Sequence, residues 1–155
     1  MNMVFQINGR DVGIEVSDSE LLLDTLRHIG FSSVREGCGV GACGSCTVLV
    51  DGKSVSSCLV LTSRCNGSSI LTSEGLADDD PVVSQFIKNG AAQCGYCIPG
   101  FVMMVSELLS ENPIPTEQEI YNHLEGNICR CGSYPEIVQA AMDASKAKQT
   151  SKLTC

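Results

Sequence analysis

Apolar and polar residues alternate over five short stretches in the first half of the chain, which is the spacing of half-buried β-strands. These stretches are residues 4–7, 12–16, 47–50, 53–56 and 69–72. Asn8-Gly9 and Asp51-Gly52 separate the members of the first two pairs, and such dipeptides favour the two-residue turn of a β-hairpin. Between the hairpins, residues 17–20 have the form of a capping box, and leucines at helical spacing follow them. The pattern predicts a small β-grasp-like sheet with one helix across it.

Beyond residue 76 the apolar residues recur at helical spacing instead. The acidic run of residues 78–80 precedes Pro81, which suits the first position of a helix, so these carboxylates are expected to cap and solvate that helix. Three further helices are predicted over residues 101–109, after the capping box of residues 116–119, and from Pro135 onwards. Four helices with short connections indicate a small helical bundle.

The two patterns together predict an α+β fold with two domains. Residues 1–76 are expected to form a plant-type ferredoxin-like β-grasp domain. Residues 77–155 are expected to form a four-helix bundle domain, with a loose polar tail from about Lys146.

Composition excludes several classes of function. The 155-residue chain has a net charge of −8 and shows no basic patch, which argues against a nucleic-acid partner. No apolar run is long enough to span a membrane, and no export signal is evident at the N-terminus, so a cytoplasmic location is expected. Ten cysteines in such a chain indicate metal binding or redox chemistry rather than disulfides.

Four of the cysteines have the spacing of a plant-type 2Fe–2S site. Cys38, Cys43 and Cys46 form a C-x4-C-x2-C run, and Cys58 follows in the next element. Glycines at four positions between residues 36 and 46 suit a loop that must wrap its backbone N–H groups closely around an anionic cluster. This glycine-rich spacing leaves little weight for a zinc site here.

A second set of four cysteines lies in the helical half. Cys94 and Cys97 precede one predicted helix, and Cys129 and Cys131 precede the last one. Helix N-termini offer free N–H groups and a favourable dipole to an anion, so two of them could form a socket for a second cluster. Taken alone, this C-x2-C and C-x-C set is also compatible with a structural zinc site, although an iron–sulfur cluster is favoured.

The remaining reactive side chains have plainer roles. Cys65 is expected to be a small, partly buried residue, and Cys155 to belong to the tail. His28 and His123 lie on predicted helices and are expected to be surface or capping residues. No catalytic set of Ser, His, Asp or Cys is evident, so no catalytic residue is predicted on this chain.

The cysteine segments resemble those of a known family. Residues 33–48, Cys58-Leu59, residues 71–76, residues 93–100 and residues 126–131 are similar to the motifs of the small iron–sulfur subunit of the molybdenum hydroxylases, the xanthine dehydrogenase family. The resemblance extends from about residue 3 to residue 145. The order and spacing of eight cysteines make a chance similarity very improbable.

This resemblance implies an electron-transfer subunit with two 2Fe–2S clusters and two partner subunits. The cluster of the second set would lie nearest a molybdopterin cofactor on a large subunit, with Gln93 and Cys131 beside the pterin. The cluster of the first set would face FAD on a medium subunit. Electrons would pass from molybdenum through both clusters to FAD while the complex hydroxylates a purine or related substrate.

Two departures from the family pattern lie beside cysteines of the second set. Ile98 stands where the motif more often has Thr, and Gly132-Ser133 stands where Thr-Gly is usual. They are expected to alter hydrogen bonding around the second cluster and its contact with the pterin, without removing a ligand. Two other classes of function remain open on the residues: a free-standing ferredoxin that shuttles electrons, and a zinc-stabilised interaction module.

Overall fold

A computed structural model of the protein describes residues 2–153, and its elements follow the order of the sequence pattern. The strands are β1 (Asn2–Ile7), β2 (Arg10–Glu15), β3 (Thr47–Val50), β4 (Lys53–Ser56) and β5 (Ser69–Leu71). The helices are α1 (Leu22–His28), α2 (Pro81–Lys88), α3 (Ile98–Glu111), α4 (Glu117–Leu124) and α5 (Tyr134–Leu153). Short 3-10 turns cover Ser57–Leu59, Thr62–Cys65 and Ser73–Gly75. The fold is α+β, as predicted.

The five strands form one mixed sheet in the order β2-β1-β5-β3-β4. β1 pairs antiparallel with β2 and parallel with β5, while β3 pairs antiparallel with both β4 and β5. The residues of both predicted hairpin turns have positive φ angles, 51° and 78° at Asn8-Gly9 and 50° and 81° at Asp51-Gly52. Both central residues of a type I′ turn need this conformation, so the two hairpins are confirmed.

Two separate clusters of buried apolar side chains hold the chain together. One lies between the sheet and α1 and includes Phe5, Leu22, Val48 and Ile70. The other lies among α2, α3, α4 and α5 and includes Val82, Phe101, Ile120, Ile137 and Ala141. Most amphipathic elements therefore bury their apolar faces against neighbours in the same half of the sequence, whereas α3 also packs against β3 and β4.

The start of α1 differs from the prediction. Glu20 accepts a hydrogen bond from the backbone N–H of Ser17, as a capping box requires, but its carboxylate also accepts from the Thr25 hydroxyl at 2.8 Å. Leu21 remains extended and forms a β-bridge with Leu61, so the helix begins only at Leu22 and has no side-chain cap. The capping box of α4 is confirmed in full, because Thr116 and Glu119 bond each other's backbone.

The polar residues after Lys146 continue α5 to Leu153, so the expectation of a loose tail was wrong over this stretch. Ala144 and Ser145 are buried, and the Ser145 hydroxyl donates to the Pro113 carbonyl at 2.7 Å. The Thr150 hydroxyl donates to the Lys146 carbonyl at 3.1 Å, one helical turn back. The prediction for Cys155 lies outside the described residues.

Helix α3 also contacts the sheet through a buried carboxylate. Glu107 accepts a hydrogen bond from the Ser54 N–H of β4 at 2.7 Å and lies 3.4 Å from the His123 imidazole of α4. Lys53 pairs with Glu111 one turn further along α3. His123 is therefore partly buried rather than at the surface, whereas His28 is exposed as predicted.

None of the helices in residues 2–153 is long and apolar enough to cross a membrane.

The acidic run before α2 gives a direct test of the capping assignment. The Asp80 carboxylate accepts from the Val82 and Val83 N–H groups at 2.8 and 3.4 Å. We expect Asp80→Ala to weaken α2 by about 1 kcal/mol, so that its amides exchange with deuterium roughly fivefold faster. Hydrogen–deuterium exchange read by mass spectrometry measures this change.

Asp78→Ala is the matched control, because Asp78 is exposed and carries the same charge in the same run. We expect it to leave the exchange of α2 unchanged. An equal acceleration in both variants would show that charge, and not the cap, stabilises the helix start.

Candidate metal centres

The first set of cysteines is held by the loop between α1 and β3. Gly39, Gly41 and Gly44 have φ angles of 67°, 74° and 71°, which residues with a side chain rarely adopt. Gly37 is needed for space instead, because a Cβ atom there would lie 2.7 Å from the Cys43 sulfur. The loop thus folds tightly around Cys38, Cys43 and Cys46, and the 3-10 turn after β4 adds Cys58.

The eight cysteines lie in four pairs, two in each set. Cys38 lies within hydrogen-bond reach of Cys43, and Cys46 within reach of Cys58. In the second set, Cys94 neighbours Cys131, and Cys97 neighbours Cys129. Each set has one pair nearer the surface and one buried pair: Cys46, Cys58, Cys97 and Cys129 are all buried. The structure therefore arranges the cysteines of each predicted set as two neighbouring pairs.

Backbone N–H groups point at the outer sulfurs. The Val40 and Ala42 N–H groups donate to the Cys38 sulfur at 3.4 and 3.2 Å and lower the pKa of this thiol to about 7. The Tyr96 N–H and the neighbouring Cys131 thiol likewise lower the pKa of Cys94. Such N–H groups stabilise thiolates, which are the ligands that iron–sulfur clusters require.

Burial has the opposite effect on the inner sulfurs. Desolvation is the main reason that the pKa of Cys58 is raised to about 11 and that of Cys97 to about 12. A buried thiol gives up its proton readily only when a metal replaces it, so metal binding at these residues is coupled to proton release. In each set, the outer pair therefore includes a thiol with a lowered pKa. The inner pair includes a thiol with a raised pKa.

The pairing bears on the zinc alternative for the second set. A zinc ion needs four donors around one point, whereas the two irons of a 2Fe–2S cluster divide four thiolates between them. Two sulfur pairs fit a cluster of two irons better than one zinc ion.

Helix α3 and the segment before α5 build the second set. Cys97 is the N-cap residue of α3, so its sulfur lies at a helix start, as predicted. The backbone of Ser133, Cys131 and Gly132 bonds the sulfur of Cys129, while the Cys129 N–H donates to the Tyr134 hydroxyl at 2.8 Å. This turn surrounds Cys129 with backbone donors.

The two departures from the family pattern lie in this turn and at the start of α3. Gly132 has a φ angle of 83°, and buried Ser133 has a hydroxyl without a hydrogen-bond partner in the described structure. Ile98 is the first residue of α3. Neither departure displaces a cysteine from its pair.

The two sets of cysteines adjoin each other directly. The Ile128 N–H donates to the Cys43 carbonyl at 3.0 Å. Cys43 belongs to the first set, and Ile128 directly precedes Cys129 of the second. Gly100 at the start of α3 faces the Gly44 carbonyl so closely that a Cβ atom there would lie 2.1 Å from its oxygen. Only glycine permits this approach of the helix to the first cysteine loop.

Arg35 and Tyr96 reinforce this junction. The Arg35 guanidinium donates to the Gly95 carbonyl at 2.5 Å and stacks 5.3 Å from the centre of the Tyr96 ring. The Tyr96 hydroxyl donates to the Glu36 carbonyl at 2.5 Å. Sequence reasoning missed both side chains. Their only signal is that each lies within three residues of a cysteine, one in either set.

Gln93 and Cys131 lie side by side at the surface. The Gln93 amide donates to the Cys131 carbonyl at 3.4 Å, and both residues are exposed. Cys65, by contrast, is buried in the core of the sheet, where burial and the charge of Asp51 raise its pKa. It belongs to neither cysteine set and packs as a small apolar residue, more deeply than predicted.

Two family descriptions match the chain. Residues 5–80 match a 2Fe-2S iron-sulfur cluster binding domain, and residues 72–142 match a [2Fe-2S] binding domain. The second match includes all four cysteines of the second set, so that set belongs to an iron–sulfur domain and not to a zinc module.

Proteins of known role resemble the chain over most of its length. It is 43% identical over 142 residues to the nicotine 6-hydroxylase small subunit of Paenarthrobacter nicotinovorans, which covers 90% of this chain and 86% of the relative. It is 41% identical over 148 residues to the xanthine dehydrogenase iron-sulfur-binding subunit of Escherichia coli O157:H7, with 92% of each chain covered.

A solved structure resembles the chain in both fold and sequence. A chain of quinoline 2-oxidoreductase from Pseudomonas putida 86 superposes with a TM-score of 0.92 at 35% identity, covering 97% of this chain and 96% of that one. The chain therefore belongs to the family of small 2Fe–2S iron–sulfur subunits of the molybdenum hydroxylases, as its cysteine motifs predicted.

Proposed function

We propose that the eight paired cysteines ligate two 2Fe–2S clusters that relay electrons within a molybdenum hydroxylase. Cys38, Cys43, Cys46 and Cys58 would hold one cluster, and Cys94, Cys97, Cys129 and Cys131 the other. The observation that supports this most strongly is the hydrogen bond from the Ile128 N–H to the Cys43 carbonyl, because it joins a cysteine of the first set to the residue directly before Cys129 of the second. A relay needs its centres close together, and a protein with two unrelated structural metals does not.

The residues of each site fit a cluster in three respects. Four sulfurs lie in two pairs, backbone N–H groups bond the outer sulfurs, and glycines leave the loop free of side chains. When bound, each cluster accepts and passes one electron at a time. The chain's own contribution is to hold the thiolates, donate hydrogen bonds to them and bury one side of each cluster, which together set the reduction potential.

The surface around the second set supports a partner on that side. Tyr96, Ile128 and Tyr134 are 46, 52 and 40% exposed, although large apolar side chains are usually buried in a free-standing carrier. We infer that the large, molybdopterin-binding subunit covers this region and that Gln93 and Cys131 lie beside the pterin. The relatives named above are themselves called a small subunit and an iron-sulfur-binding subunit, which agrees with a fixed complex.

The first set then lies on the outgoing side of the relay. Cys38 is only half buried, and Val40 and Leu59 project beside it with most of their surface exposed. We infer that the medium, FAD-binding subunit covers this face. The proposed route enters at Cys94 and Cys131, crosses at Ile128 and Cys43, and leaves near Cys38.

The names of the relatives bear on the substrate. The two relatives and the solved structure compared above are named for nicotine, xanthine and quinoline, all nitrogen heterocycles. We propose that the complex hydroxylates a purine or another nitrogen heterocycle, on a subunit other than this chain. A cytoplasmic location and a two-domain arrangement, with the β-grasp domain over residues 1–76 and the helical bundle domain beyond, form part of the same proposal.

Two buried cysteines of the sheet core, Cys58 and Cys65, allow a matched test of the ligand assignment. Cys58→Ala removes a proposed ligand of the first cluster, so we expect one of two 2Fe–2S signals to disappear and the iron content to fall from about four to about two atoms per chain. Electron paramagnetic resonance of the dithionite-reduced complex, with iron measured in the same sample, gives both readings.

Cys65→Ala is the matched control, since Cys65 is buried in the same core but belongs to neither set. We expect it to keep both signals and all of the iron. Loss of iron in the Cys65 variant, or its retention in the Cys58 variant, would contradict the assignment. Zinc in place of about half of the iron in the unaltered protein would point to a structural metal.

The second set allows a reciprocal test. Cys131→Ser should damage the second cluster and leave the spectrum of the first largely intact, because the four ligands of the first cluster lie in the other half of the chain. Electron paramagnetic resonance of the dithionite-reduced complex again measures the two signals. Simultaneous loss of both signals would show that the two sites do not assemble independently and would count against two domains.

A further inference from the structure

A single buried side chain connects the two cysteine sets. Asn127 is only 5% exposed, and its amide nitrogen donates to the Gly44 carbonyl at 3.3 Å. It lies two residues before Cys129 of the second set, and Gly44 follows Cys43 of the first. Its own backbone N–H donates to the Leu124 carbonyl at the end of α4. The side chain thus reaches from a fixed helix end to the other cysteine loop.

The contact leaves little freedom to either partner. A Cβ atom on Gly44 would lie 2.4 Å from the Asn127 amide nitrogen, and one on Gly100 would lie 2.1 Å from the Gly44 oxygen. Gly44 is therefore enclosed between Asn127 on one side and the start of α3 on the other. The remaining donors to its carbonyl come from Thr47, through its hydroxyl at 2.8 Å and its N–H at 3.3 Å.

The chemistry of this position selects an amide. The Gly44 carbonyl can only accept hydrogen bonds, so a donor such as the Asn127 amide suits the buried position beside it. An aspartate of the same shape would instead place a carboxylate oxygen against the carbonyl oxygen in a buried site, which is unfavourable.

We infer that Asn127 is a positioning residue for electron transfer, whose side chain fixes the Cys43–Gly44 loop against the segment that carries Cys129. The inference rests on the proposed function, because it concerns the distance between the two clusters. In this role the Asn127 side chain acts through the Gly44 carbonyl. Its amide holds the loop whose Cys43 carbonyl accepts the hydrogen bond from the Ile128 N–H.

The test compares Asn127→Asp with Asn122→Asp in the purified complex. Asn122 is exposed on α4, and its side-chain oxygen accepts from Gln118 at 2.8 Å, a role that aspartate keeps. The two variants therefore make the same chemical change inside and outside the junction. Asn127→Ala serves as a second variant that removes the donor without adding a charge.

Magnetic interaction between the two reduced clusters is the primary measurement. In the fully reduced complex this interaction splits the two resonance signals, and it falls steeply with distance. We expect both Asn127 variants to keep two signals and the full iron content, but to show a weaker and less uniform splitting. Asn122→Asp should match the unaltered complex. Deuterium exchange at residues 44–47 should accelerate about fivefold to tenfold in the Asn127 variants only.

Each outcome has a distinct meaning. Unchanged splitting and exchange in both Asn127 variants would overturn the inference and leave the proposed function intact. Loss of both clusters in both variants would show a folding residue and would also overturn it. Absence of two iron–sulfur signals in the unaltered complex would instead overturn the proposed function, and the inference with it.

Discussion

The close approach of Gly44 to Gly100 determines how the two halves of the molecule meet. Backbone lies directly against backbone here. A side chain at Gly100 would push the first cysteine loop away from α3, and one at Gly44 would meet the Asn127 amide. The Ile128 hydrogen bond to Cys43 and the Arg35–Tyr96 stacking also join the two halves. Without the contact, this hydrogen bond and this stacking would have to span a wider gap. The two cysteine sets would then no longer be fixed in position relative to each other.

Burial divides each set of sulfurs into an outer and an inner pair. The outer thiols Cys38 and Cys94 receive backbone hydrogen bonds, while desolvation dominates at the inner thiols Cys58 and Cys97. A cluster held in this way has one side near solvent or a partner and one side in protein. That asymmetry suits a centre that must exchange electrons with another molecule and yet remain shielded from water.

Local chemistry explains what the sequence could predict. Asn8-Gly9 and Asp51-Gly52 specify their turns by backbone preference alone, and the cysteine spacing specifies two sets of four. The start of α1 and the end of α5 depended on distant residues, because Leu21 pairs with Leu61 and Ser145 bonds Pro113. The pairing of Cys94 with Cys131, and the contact of Asn127 with Gly44, join positions far apart in the chain, so no periodicity could reveal them.

The glycine contact between the halves has a consequence for protein engineering. One half of such a chain can be replaced by the corresponding half of a relative, since each half of this chain has its own apolar core. A chimera that took one half from a distant relative would inherit intact cysteines yet place a foreign backbone against Gly44 or Gly100. Such a hybrid could bind both clusters and still transfer electrons slowly between them, because the contact between the halves positions one cluster relative to the other.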